Sequence, residues 1–116
     1  MTLISQLDSI RKKVKTVEVE TNKLGKVTLM ALFTRHRLEF HKLSENHRDP
    51  ILLMVAMSVC ENGRRLVDSL DIDEVMDMLD PLGSTAEGLE DIHSLYESAN
   101  DLSKVTVDDV EEAAKN

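Results

Sequence analysis

Seven consecutive apolar residues, Ile51 to Met57, follow Asp49-Pro50. Asp49 can accept from the free N–H groups of a starting helix, and Pro50 suits the first helical position. The pattern predicts a helix from Pro50 to about Glu61, apolar nearly all round through Val59 and Cys60. A helix with no polar face is buried on several sides, so this one is the central core helix or a subunit contact. A buried strand is the rival reading, and the length and the Asp-Pro start favour helix. Seven residues fall far below the ~18 needed to span a bilayer, so no membrane partner is expected.

The remaining segments arrange themselves around that helix. Leu3, Leu7, Ile10 and Val14 recur at steps of four, three and four, which predicts a short amphipathic helix ending in Arg11-Lys12-Lys13. Thr16-Val17-Glu18-Val19-Glu20 alternates, and Lys26 to Leu32 follows a turn at Asn22 and Gly25. Together they predict a β-hairpin over about residues 16–32, with Val17, Val19, Val27, Leu29 and Ala31 on its buried face. Thr34 reads as the cap of a helix from about Arg35 to Ser44, anchored by Leu38 and by Phe40 or His41. Asn62-Gly63 stops the core helix or makes a tight turn, and Arg64 to Val67 is extended. A helix over about Ile72 to Leu79 is capped by Asp71, and Asp80-Pro81-Leu82-Gly83 breaks the chain. Ser84 or Thr85 opens a last helix with a stripe of Thr85, Leu89, Ile92, Tyr96 and Ala99. The expected fold is mainly α with a small N-terminal hairpin, an α+β class, built as one domain over residues 1–102 with four to five short helices. Residues 103–116 read as an acidic tail.

Charge divides the chain at the same place as the core helix. Residues 1–48 hold ten basic and five acidic residues, whereas residues 49–116 hold four basic and seventeen acidic ones. The resulting +5 and −13 compose the net −8. The acidic half repels phosphates, so nucleic acid is a poor partner. The asymmetry suits protein partners, including further copies of the chain.

No constellation for catalysis emerges from the motifs. The four glycines never approach a phosphate-binding loop or a dinucleotide fingerprint. His36 and His41 stand five apart, which is wrong for two ligands on one helix face; a site using His41, His47 and a carboxylate is a remote alternative. Cys60 is the single cysteine, which excludes a disulfide framework and fits a reducing compartment; it reads as a small core residue rather than half of a thiol dyad. Asp71, Asp73, Glu74, Asp77 and Asp80 lack the glycine of a calcium loop and read as a solvated, acid-favouring helix start. No cofactor or metal is expected. Methionine at exposed positions suits an adaptable partner surface, and gap-filling in a core is its commoner use. The candidate partner or self-association residues are Leu24, Met30, Met54, Met57, Arg64, Arg65 and Met78.

The order of these elements resembles a known family. Val17-Glu18-Val19-Glu20, then Leu24-Gly25-Lys26, a second strand through Leu32, and a helix opened at Thr34-Arg35 look like the start of the tail assembly chaperones of long-tailed bacteriophages. Met54 to Cys60, then Glu61-Asn62-Gly63 and Arg64 to Val67, are similar to that family's apolar helix, glycine and short extended piece. The acidic helix Asp73 to Leu79 and the final helix Thr85 to Ala99 follow in the same order. The closing Lys115-Asn116 is similar to the ending of the family's short forms, which a frameshift extends. Leu24 departs from the family's usual aromatic, and the basic N-terminal helix is less typical of it. The resemblance covers about residues 14–102 and the last few. It implies a non-enzymatic protein in the bacterial host cytoplasm that coats the tape measure protein, recruits tail tube protein, self-associates, and leaves before the virion matures. The alternative is an acidic regulator or inhibitor that occupies a basic nucleic-acid-binding protein.

Overall fold

The apolar run folds as a helix and becomes the centre of the protein. In the computed structural model, which describes residues 2–46 and 49–104, helix α3 spans Pro50–Ser58. Asp49 Oδ1 accepts the Ile51 N–H at 3.0 Å, and every residue from Leu52 to Ser58 is buried. The preceding elements are α1 (Leu3–Lys12), β1 (Thr16–Glu20), β2 (Lys26–Met30) and α2 (Thr34–Glu45). After α3 come β3 (Val59–Glu61), β4 (Arg64–Arg65), a 3₁₀ turn at Leu66–Asp68, α4 (Ile72–Leu79), a second 3₁₀ turn at Asp80–Ser84, and α5 (Ala86–Ser103). The protein is therefore a small, mainly helical α+β domain, with a helix ahead of its hairpin.

The sheet is larger than a hairpin. Its order is β1-β2-β3-β4, antiparallel throughout, with Val17 opposite Leu29 and Leu29 in turn opposite Val59. The expected helix to Glu61 stops at Ser58 because Val59 turns extended and joins the ladder of β2. Asn62 and Gly63 both take positive φ, 53° and 79°, the geometry of a two-residue hairpin turn whose twist matches its strands. That turn carries Arg64 and Arg65 back alongside Cys60 and Glu61.

Helix α5 closes the core against α3, the second 3₁₀ turn and the β1–β2 hairpin. Its buried face is Gly88, Asp91, Ile92, Leu95, Ala99 and Ser103. The expected stripe through Leu89 is rotated, leaving Leu89 47% exposed, because Asp91 must face the hairpin. Asp91 Oδ1 accepts the Asn22 N–H at 2.7 Å, and Oδ2 accepts the Lys23 N–H at 2.9 Å. One buried carboxylate thus ties the β1–β2 turn to the last helix. Ser103 belongs to that helix rather than to a tail: its Oγ accepts the Leu32 N–H at 3.0 Å. Residues 105–116, the rest of the expected tail, lie outside the described residues.

Two further expectations are corrected in α2. Its cap is Phe33 rather than Thr34. Leu38 is 67% exposed and anchors nothing, because the inward face is carried instead by His36, Phe40 and Leu43. Val17, expected to be buried, is exposed on the outer strand of the sheet.

Gly88 supplies a test of this packing. A Cβ there would lie 1.9 Å from the Leu82 carbonyl oxygen, which belongs to backbone and cannot swing aside. Helix propensity alone makes Gly→Ala stabilising by about 1 kcal/mol. Gly88→Ala is instead expected to lower stability by about 1–3 kcal/mol in urea unfolding, because α5 must shift away from the 3₁₀ turn.

Candidate functional site

The chemistry of the molecule gathers where β2 hands over to α2 and β4 runs beneath them. Arg65 is only 1% exposed. Its Nη1 donates to the carbonyls of Met30 and Met57, each at 3.0 Å, and its Nη2 donates to the Ala31 carbonyl. The guanidinium also lies over the Phe33 ring, 4.8 Å from its centroid. Its Nε is buried with no acceptor. Burial pulls the guanidinium below its usual pKa.

His36, on the first turn of α2, is the other buried polar group here. Its Nδ1 accepts the Phe33 N–H at 3.1 Å, so the side chain satisfies a backbone donor that the helix start leaves free. Burial, then the positive charges of Arg65 and Arg35, lower its pKa to about 4. Asp68 opposes that shift without overcoming it. A neutral imidazole in this position is a structural acceptor, not a proton shuttle near neutral pH.

Beside this junction opens a cavity of about 520 Å³. Met30, Phe33, Arg11, Arg35, Arg64 and Arg65 line it, and Asp68 supplies the single carboxylate. Arg35 is 3.6 Å from Asp68. The cavity therefore has strong positive character in a protein of net charge −8.

The expected partner residues divide between surface and core. Leu24 at the hairpin turn is 48% exposed, Met78 on α4 is 55% exposed, and Arg64 is exposed. Met30 is half-buried at the cavity wall. Met54, Met57 and Arg65 are buried, at 7%, 1% and 1% exposure. The two methionines fill the core around α3, and Arg65 braces backbone carbonyls, so none of the three offers an open contact surface. Cys60 is half-buried on β3, and burial raises its thiol pKa, which disfavours a nucleophilic thiolate. Among the described residues, no group of three or more His, Cys, Asp or Glu is placed to hold a metal ion. The alternative site with His47 involves a residue outside those described. No helix among the described residues is long and apolar enough to cross a membrane.

One apolar stripe stays exposed. Leu3, Ile4, Leu7 and Ile10 are 68%, 80%, 55% and 66% exposed, and no residue of α1 is buried. The signal was the stripe itself. A stripe at helical spacing reads as core, and only packing shows that none of the described residues buries it.

No family model, no curated protein and no solved structure matches this chain.

His36 gives the junction a pH signature. The unfolded chain takes up its imidazole proton near pH 6.5, whereas the folded form resists protonation down to about 4. This contribution to stability is whole above 6.5 and is lost as pH falls toward about 4. Urea unfolding at pH 7 and pH 4.5 is expected to show about 2 kcal/mol more loss in the native protein than in His36→Gln, whose amide oxygen preserves the acceptor.

Proposed function

We propose that this chain is a non-enzymatic assembly chaperone of a long-tailed bacteriophage. In this reading it coats the tape measure protein in the host cytoplasm, keeps it soluble, and helps bring tail tube protein to it. The observation that carries the reading is the uncovered face of α1, formed by Leu3, Ile4, Leu7 and Ile10. A row of apolar side chains this exposed marks a contact surface. Its counterpart on a helical client is another apolar stripe, which would otherwise aggregate. Lys12 and Lys13 follow the stripe and suit acidic residues flanking the client's stripe. Many weak contacts of this kind along one long client bind firmly through avidity and still release.

The element order that carries the resemblance also supports the reading. Strand, glycine turn, strand and helix are followed by the apolar helix, a short strand, a glycine turn, a second short strand, an acidic helix and a final helix. The charge division supports self-association as part of the same role.

Co-expression with the phage's tape measure protein tests the proposal. The native chain is expected to hold the tape measure protein in the soluble fraction. Leu7→Asp with Ile10→Asp, both at exposed positions, is expected to weaken that binding at least tenfold, since each apolar side chain contributes about 1.5–3 kcal/mol when buried. Equal solubilisation by the double variant would overturn the role of α1. Capture of a nuclease, polymerase or repressor in place of the tape measure protein would overturn the chaperone reading.

A further inference from the structure

We propose that the arginine-lined cavity is a receptor for the outer face of α4 of a second copy of this chain, taking the carboxylates of Glu74 and Asp77 together with the Met78 side chain. This inference stands independently of any client.

The composition of the cavity is selective. Four of the chain's six arginines line it, and none of its eight lysines does. Arginine presents a planar fork that matches a carboxylate with two parallel hydrogen bonds, which an ammonium does not. Among the described residues, Arg11 and Arg64 make no ion pair, while Arg35 has Asp68. Arg65 lies behind them, buried, with an Nε that finds no acceptor and no ion-paired carboxylate. One carboxylate thus stands against four guanidinium groups. The wall is also partly apolar through Met30 and the Phe33 ring.

The complement exists on the same molecule. Glu74, Asp77 and Met78 fall at helical spacings of three and four, so they share one face of α4. All three are exposed, and Met78 is 55% so. Neither Glu74 nor Asp77 makes an ion pair among the described residues. Two free carboxylates beside an exposed thioether therefore match free guanidinium groups beside Met30 and Phe33. A contact between two different surfaces of identical chains is head-to-tail, and it builds rings if its rotation closes and filaments if it does not.

Sedimentation equilibrium of the full chain without any client tests this. Association is expected at about 0.05 M salt and is expected to weaken severalfold at about 0.5 M, where charges are screened within a few ångströms. Arg64→Glu and Asp77→Lys both alter exposed positions, and circular dichroism checks that each variant stays folded. Each alone is expected to weaken association at least tenfold, and an equimolar mixture of the two variants is expected to associate again through the swapped pair. A native chain that remains monomeric, single variants that associate like the native chain, or a mixture that stays monomeric would each overturn the proposal. Failure here leaves the α1 surface and its client untouched, so the two readings fail separately.

Discussion

A single buried guanidinium joins three separate parts of this chain. Arg65 donates to the last carbonyl of β2, to the residue after it, and to a carbonyl near the C-terminal end of α3. Those carbonyls sit where the chain leaves regular structure, so their partners must come from elsewhere. Arg65 reaches them because the Asn62-Gly63 turn returns β4 alongside β3, directly below the β2–α2 link. The Phe33 ring covers the guanidinium, and His36 in turn holds the Phe33 N–H. The start of α2, the end of α3 and the end of β2 are thereby set by one side chain. A buried charge is costly unless its hydrogen bonds are made, so this arrangement is strongly coupled.

The same junction determines what faces outward. With Arg65 turned to backbone, Arg11, Arg35 and Arg64 remain around the cavity mouth. At the other end of the hairpin, Asp91 performs the corresponding task by accepting two N–H groups of the turn. The hairpin is therefore fastened by a buried cation at its open end and a buried anion at its tip. Between these fastenings the core is aliphatic and thioether, packed around α3. Helix α1 reaches this junction only through Arg11, and its apolar side chains Leu3, Ile4, Leu7 and Ile10 stay exposed, apart from the core.

Local signals were sufficient where the chemistry is local. Asp49-Pro50 and the apolar run identify α3; the turn at Asn22 and Gly25 places the first hairpin; Thr85 marks the start of α5, where its Oγ1 accepts the Gly88 N–H at 3.0 Å. What escaped the sequence depends on distant partners. Val59 to Glu61 continues an apolar helical pattern, and only the free edge of β2 draws it into a strand. Leu89 and Leu38 fit helical stripes, yet the hairpin turn claims Asp91 and the α2 cap claims His36, which rotates both helices. Arg65 reads as a candidate partner residue beside Arg64, because nothing local reveals the three carbonyls it binds. The candidate site is legible only in part: Met30, Arg64 and Arg65 stand among the expected partner residues, whereas Arg11 and Arg35 join the cavity through folding alone.

Arg65 is the brace of the β2–α2–α3 junction. Urea unfolding of Arg65→Met, combined with amide exchange, tests it most directly. Methionine has similar length and fills the space but donates nothing to the carbonyls of Met30, Ala31 and Met57. A loss of about 3 kcal/mol or more is expected, since hydrogen bonds from a charged donor contribute about 1.5–3 kcal/mol each, with faster exchange concentrated at the ends of β2 and α3. Stability within about 0.5 kcal/mol of the native protein, as for an ordinary surface substitution, with exchange unchanged there, would contradict it.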